Sequence, residues 1–194
     1  LAYWETFVSN KNNKAMKTKS LNYYAVFALL AFLFVGASVH SQNLKPIKTE
    51  ILVEGTSNIH DWEMTSEKAV GTVQSSNGTI SEISIEIPVK SLESGKGGMD
   101  KNAYKALNED DYPTIKFRST EVSSSRIKGH LIINGKSKTV SIPVSTKKSG
   151  ESIEISGKYK INMTHYGVEP PTALMGTIKT GEEVTINFNF QVNQ

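Results

Sequence analysis

Residues 94–120, SGKGGMDKNAYKALNEDDYPTIKFRST, are the one stretch in which a helical pattern interrupts strand patterns on both sides. Met99, Ala103, Ala106 and Leu107 recur at helical spacing behind Gly95-Lys96-Gly97-Gly98, with Asp100 placed as an N-cap and Asp110-Asp111-Tyr112-Pro113 ending the helix. A strand restarts through Tyr112-Pro113-Thr114-Ile115-Lys116-Phe117, with Pro113 at its first position, where no ladder donor is needed. A single short helix among many strands reads as a lid or plug on a closed sheet, because an open sheet leaves edges that pair with other chains.

Upstream, Ile83, Ile85, Ile87 and Val89 alternate with Ser84, Glu86 and Pro88, the signature of an antiparallel strand with one dry face. Asn77-Gly78 precedes it as a type I′ hairpin turn, and residues 60–73 read as the strand before that, continuing from His60-Asp61-Trp62-Glu63-Met64. Residues 49–56 open the sheet behind a polar leading segment. Downstream, strands fall at 114–122, 126–134 and 138–146, the last two joined through a second Asn-Gly turn at Asn134-Gly135. A long strand with Ile153, Ile155, Tyr159, Ile161 and Met163 inward and a final one with Val184, Ile186, Phe188, Phe190 and Val192 inward complete the set. Between these two, residues 164–183 (THYGVEPPTALMGTIKTGEE) have no strong period, and a loop of this length is usually functional or disordered. The expected fold is all-β: eight antiparallel strands closed into a barrel with one short helix, whose bore either holds one ligand or is filled by side chains. The 164–183 loop is expected to fold over one rim.

The barrel is expected to occupy residues 42–194. Before it, Met16-Lys17-Thr18-Lys19 and the apolar run from Leu21 to Ala37 form the n- and h-regions of a signal peptide over residues 16–41, with Val39-His40-Ser41 as the small-residue exit and cleavage before Gln42. The rival reading, an uncleaved membrane anchor, is disfavoured by two tyrosines at the start of the run and by that exit. Residues 1–15 are unpatterned and are expected to be translated upstream sequence before a natural start at Met16. The chain has 22 basic and 19 acidic side chains, and residues 1–41 hold four of the former and one of the latter, so residues 42–194 carry 18 of each. A neutral chain without a basic stripe excludes a nucleic-acid partner, whose affinity comes mostly from phosphate neutralisation. The absence of cysteine excludes disulfides, thiolate metal sites and a lipidated N-terminus. The expected location is therefore periplasmic or secreted, without a stable membrane anchor after cleavage. A homodimer stays open.

His60-Asp61-Trp62 is the most conspicuous polar cluster, but neighbours on a strand point to opposite faces, so Asp61 does not assist His60 as a base. An imidazole and an indole at a barrel mouth suit instead the polar head of an apolar ligand. His60, His130 and His165 lack metal-motif spacing, so no metal and no cofactor is expected. Lys96-Gly97-Gly98 is not a phosphate loop, though amides at a helix N-terminus can meet an anionic head group. The inward set offers almost no polar group to orient a polar substrate. A binding protein is therefore expected rather than an enzyme, the alternatives being an acid–base enzyme using His60 or His165, or a filled barrel that serves as a stress or interaction module.

Three segments carry a resemblance to a known family: Tyr112-Pro113-Thr114-Ile115-Lys116-Phe117-Arg118-Ser119-Thr120, the run GHLIINGKSKTVSIPV at residues 129–144, and the Tyr166-Gly167 pair after the long strand. In this order, behind a signal peptide, they resemble the YceI-like proteins. The resemblance covers residues 42–194 and implies an exported, lipocalin-like barrel that holds a polyisoprenoid, such as a polyprenyl or quinone tail, in its bore. The chain departs from the family pattern at His60-Asp61-Trp62 and in the helix at Asn102-Ala103-Tyr104-Lys105-Ala106-Leu107, both near the expected entrance. The candidate ligand-binding residues are His60, Trp62, Tyr104, His165 and Tyr166 about the entrance. Ile85, Ile87, Phe117, Val140, Ile142, Ile161, Ile186 and Phe188 are expected along the bore.

Overall fold

The computed structural model describes residues 41–76 and 79–193. The signal-peptide assignment, apart from Ser41, and the Asn77-Gly78 turn lie outside them. In chain order the elements are β1 (Ser41–Leu44), β2 (Pro46–Ser57), β3 (Trp62–Ser66), β4 (Val70–Ser76), β5 (Thr79–Pro88), α1 (Gly97–Ala106), β6 (Thr114–Val122), β7 (Arg126–Ile133), β8 (Lys136–Ser149), β9 (Ser152–Asn162), β10 (Thr172–Ala173) and β11 (Ile178–Asn193). Short 3-10 turns occupy Val89–Ser91 and Met163–Tyr166. Every ladder is antiparallel, and the path runs β1-β4-β5-β6-β7-β8-β9-β11-β2-β3, with β10 on β11. Among the described residues no helix is long and apolar enough to cross a membrane.

The all-β barrel with one short helix is as expected, but its strands number more than eight and the ladder stays open. Ten strands lie on the path and none pairs β3 with β4, so the sheet curls into a half-barrel. The expected strand over 60–73 breaks after Ser66, whose hydroxyl accepts the Lys68 amide at 3.2 Å and lies 2.6 Å from the Ser91 hydroxyl, turning the chain out of the ladder. The seam is closed by side chains. Thr49 Oγ1 donates to the Glu67 carbonyl at 2.8 Å, while Ile51 on one flank and Ala69 and Val73 on the other share one apolar cluster. The free edge of β3 is covered at Thr65, which forms a two-hydrogen-bond bridge with Glu93, each bond 2.9 Å.

β8 turns the corner of the sheet, pairing with β7 through Pro143 and with β9 from Val144 onward. Opposite that switch stands Gly157, where a Cβ would come within 2.5 Å of the Phe188 ring and 2.7 Å of the Pro143 carbonyl oxygen, so only glycine lets the layers close. Asn134 and Gly135 take φ of 48° and 70°, the type I′ geometry expected of them.

The interior is divided by height. One cluster, including Ile51, Val73, Ile83, Ile85, Ile155 and Val192, packs one end solidly. The other, including Leu131, Ile133, Val140, Ile142, Ile161, Met163, Tyr166 and Val184, forms a wall around the opposite end. Phe117, Phe188, Ile186, Val53 and Val144 touch both.

Candidate ligand cavity

The second cluster walls a cavity of about 680 Å³. No member of the first cluster lines it, so one end of the barrel is filled by side chains and the other is hollow.

α1 explains itself once the cavity is seen. Its stripe of Met99, Ala103, Ala106 and Leu107 is only half-buried, and no residue of the helix is fully buried. All four line the cavity, so the apolar face that the sequence shows roofs the hollow end, with Ala106 and Leu107 also packing against the second cluster. Asp100 is not the N-cap: Lys96 holds that position without a side-chain bond, and Asp100, inside the first turn, accepts from the Ser94 amide at 2.8 Å and the Ser94 hydroxyl at 2.6 Å. That clip folds the loop before the helix back onto it. At mid-helix the Tyr104 hydroxyl donates to the carbonyls of Leu92 at 2.8 Å and Lys90 at 3.2 Å. Tyr104 is therefore a strut for the lid and does not line the cavity; desolvation and the nearby Asp100, Glu93 and Glu109 push its phenol above the ordinary tyrosine value.

The mouth is polar and carries positive charge. Ser57 and His60 stand on one side, Lys96, Lys101 and Asn102 around the start of α1, and Thr172 and Thr180 on the third side. No carboxylate is among the lining residues. The 164–183 segment is an ordered rim: a 3-10 turn, then a hairpin of β10 on β11, with Pro171, Thr172, Ala173 and Ile178 lining the cavity. Trp62 lies across Gly55, where a Cβ would sit 2.2 Å from the indole ring, and donates Nε1–H to the Thr56 carbonyl at 3.0 Å. Deeper, the phenol of buried Tyr166 is pushed up to about 12, chiefly by desolvation.

Of the residues expected to bind, His60, Trp62, Ile161, Tyr166 and Ile186 line the cavity. Val140 and Ile142 are buried in the wall behind it, while Phe117 and Phe188 stand between the two clusters. Ile85 lies in the solid end and Ile87 packs against it. His165 is exposed on the 3-10 turn and does not line the cavity. His60 Nδ1 lies 2.7 Å from the Asp61 backbone oxygen, not against its carboxylate, so the adjacent acid and imidazole form no acid–base pair. Among the described residues no three His, Asp or Glu side chains converge as metal ligands. The sequence reading missed Val53, Met64, Leu92, Met163, Val168 and Ala173 as lining residues. Alternation puts Val53 and Met163 on an inward face without giving their height along the barrel, and Leu92, Val168 and Ala173 lie outside the strands it marks.

An antiparallel half-barrel with one hollow apolar end under a helical lid is a lipocalin-like class of protein. The YceI-like domain matches residues 43–192, and the chain belongs to that family. Among solved structures it is similar to Burkholderia cenocepacia BcnA, at 19% identity and a TM-score of 0.64, covering 74% of this chain and 95% of that one. It is also similar to a polyisoprenoid binding domain from Saccharophagus degradans implicated in plant cell wall breakdown, at 11% identity and a TM-score of 0.61, covering 80% of this chain and 98% of that one. A Campylobacter jejuni YceI protein shares the fold at 13% identity and a TM-score of 0.54, over 66% of this chain and 81% of its own. No curated protein matches the chain.

Proposed function

We propose that the protein is an exported carrier that sequesters a long-chain isoprenoid, a polyprenyl or quinone tail, in the hollow end of the barrel. The observation that carries this reading is the lid helix, whose apolar stripe of Met99, Ala103, Ala106 and Leu107 lines a cavity and has no fully buried residue. A cavity of about 680 Å³ falls within the ~300–1,000 Å³ of typical ligand sites, and its wall supplies no polar array to orient a polar substrate. Each isoprene unit withdraws five carbons from water, and at ~0.8 kcal/mol per buried methylene a few units give micromolar binding after association costs. The tail occupies the wall formed by Ile133, Ile161, Val184 and Ile186, while His60, Trp62, Lys96 and Lys101 take the head group at the mouth. Binding of this kind needs no catalytic residue, and the polyisoprenoid binding domain with the same fold supports it.

Organic extraction of protein purified from its own host, followed by mass spectrometry, tests the reading. Stoichiometric isoprenoid is the expected result, and a domain that neither carries nor takes up such a lipid would overturn it. Export is tested by intact mass: the processed chain is expected to begin at Gln42, and a retained Met16 would refute this.

A further inference from the structure

Three large apolar side chains are exposed at the mouth: Ile59 at 57%, Leu174 at 73% and Met175 at 108%. They sit on two loops that Asn58 fastens together. Its amide donates to the Lys179 carbonyl at 3.1 Å, its Nδ2 donates to the Thr177 carbonyl at 2.9 Å, and its Oδ1 accepts the Lys179 amide at 2.9 Å. The hairpin tip is a tight turn closed by Gly176 N–H to the Ala173 carbonyl at 3.1 Å, with Leu174 and Met175 at φ of 48° and 54°. That backbone ordinarily takes Asn-Gly. Apolar residues here neither suit the turn nor gain burial, so what they do is reach outward. The patch is continuous with the cavity, because Ala173 and His60, the chain neighbours of Leu174 and Ile59, both line it.

The charged side chains that line the mouth have one sign. Lys96 and Lys101 line the mouth and Lys179 stands in the hairpin stem opposite Thr172, and no ion pair engages these three lysines among the described residues. The carboxylates of Glu54, Asp61, Glu63 and Glu183 line an adjoining groove, which shares Trp62, Lys96 and Met99 with the cavity and lies on their other side. We propose that the mouth docks on an anionic bilayer, with Ile59, Leu174 and Met175 entering the acyl region and the lysines facing lipid head groups. The proposal deepens the carrier reading and rests on it, since it supplies the route by which an isoprenoid passes between membrane and cavity. A second copy fits less well, because a twofold contact through this patch sets the same lysines against each other.

The domain of residues 42–194 suits the test, because Val39–Gln194 is one compact unit and both apolar clusters lie within residues 42–194. Its flotation is measured with vesicles of phosphatidylcholine alone and of phosphatidylcholine mixed with phosphatidylglycerol. Binding to the mixed vesicles is expected. It should fall roughly a hundredfold in the Leu174→Asn, Met175→Gly double variant, about tenfold for each apolar side chain withdrawn. Lys179→Gln should weaken it by about fivefold and flatten its salt dependence. Geranylgeraniol delivered from cyclodextrin reads the cavity separately, and the double variant, which touches no lining residue, should take it up as the parent does. Parent protein that ignores both vesicles yet takes up geranylgeraniol would overturn docking and leave the carrier standing. Vesicle binding without geranylgeraniol uptake would sink the carrier reading and keep the docking surface. Dimerisation abolished by the double variant, without vesicle binding, would assign the patch to a second copy and overturn the proposal.

Discussion

Leu174 and Met175 show what single residues trade. A non-glycine residue in the left-handed region is disfavoured by ~1–2 kcal/mol, and two in succession are held there at the hairpin tip. Leu174→Asn with Met175→Gly is therefore expected to stabilise the domain by about 1 kcal/mol or more, read as a raised urea midpoint. An unchanged midpoint would show that the turn stores no strain. This feature was not legible in the sequence, since no Asn or Gly marks the two central positions; Asn134-Gly135, which has both, was read correctly. Tyr166 gives a pH dependence. Its folded-state pKa is raised from 10.0 to about 12 by burial, so the stability it contributes is fully present below pH 10 and is lost as pH rises through 12. The loss, reduced by solvent screening, amounts to about 1–2 kcal/mol. Denaturant melts across that alkaline range should show it in the parent and lack it in Tyr166→Phe.

At the scale of elements, α1 was legible because its period differs from that of everything around it, and its lid role followed from being alone. Its fastening was not, since the bonds from Tyr104 to Leu92 and from Ser94 to Asp100 depend on how the loop folds back. Tyr104→Phe removes the strut and should cost about 1 kcal/mol while speeding amide exchange in the helix more than in β7 or β9. Equal exchange in both variants would mean the helix is held by other contacts. The break between β3 and β4 leaves a trace in the sequence, because the polar run Thr65-Ser66-Glu67-Lys68 shifts the inward face from Trp62 and Met64 to Ala69 and Val73. The contact that makes the turn leaves none, since Ser66 meets Ser91, a buried partner distant in sequence. The hairpin of β10 on β11 was read as a loop because two residues of strand carry no period.

For the whole molecule, the division into a solid end and a hollow end makes two inward isoleucines behave differently. Ile155, 1% exposed in the solid cluster, has no room to grow, and Ile155→Trp should overpack the core at ~1–3 kcal/mol without touching the cavity. Ile161 lines the cavity, so Ile161→Trp should displace the lipid while leaving the urea midpoint of the empty protein nearly unchanged. The pair of measurements is extractable lipid per mole and midpoint; identical losses of both in the two variants would mean that the barrel has no such division. Which residues face inward was legible from alternation. Their height was not, because Ile186 and Val192 share one face of one strand, yet one lines the cavity and the other is sealed. Strand stagger sets that height, and no local pattern encodes it.

The pairing of β2 with β11 sets Ile51 opposite Phe188, so the first long strand of the sheet waits for the last. Almost the whole chain must be gathered before that ladder exists, and contacts this distant in sequence make folding slow. During synthesis β2 therefore has no partner in its longest ladder until β11 has been made. Chains ending before residue 178 should stay unfolded by circular dichroism, and the intact domain should refold in milliseconds to seconds, the range of proteins dominated by non-local pairing.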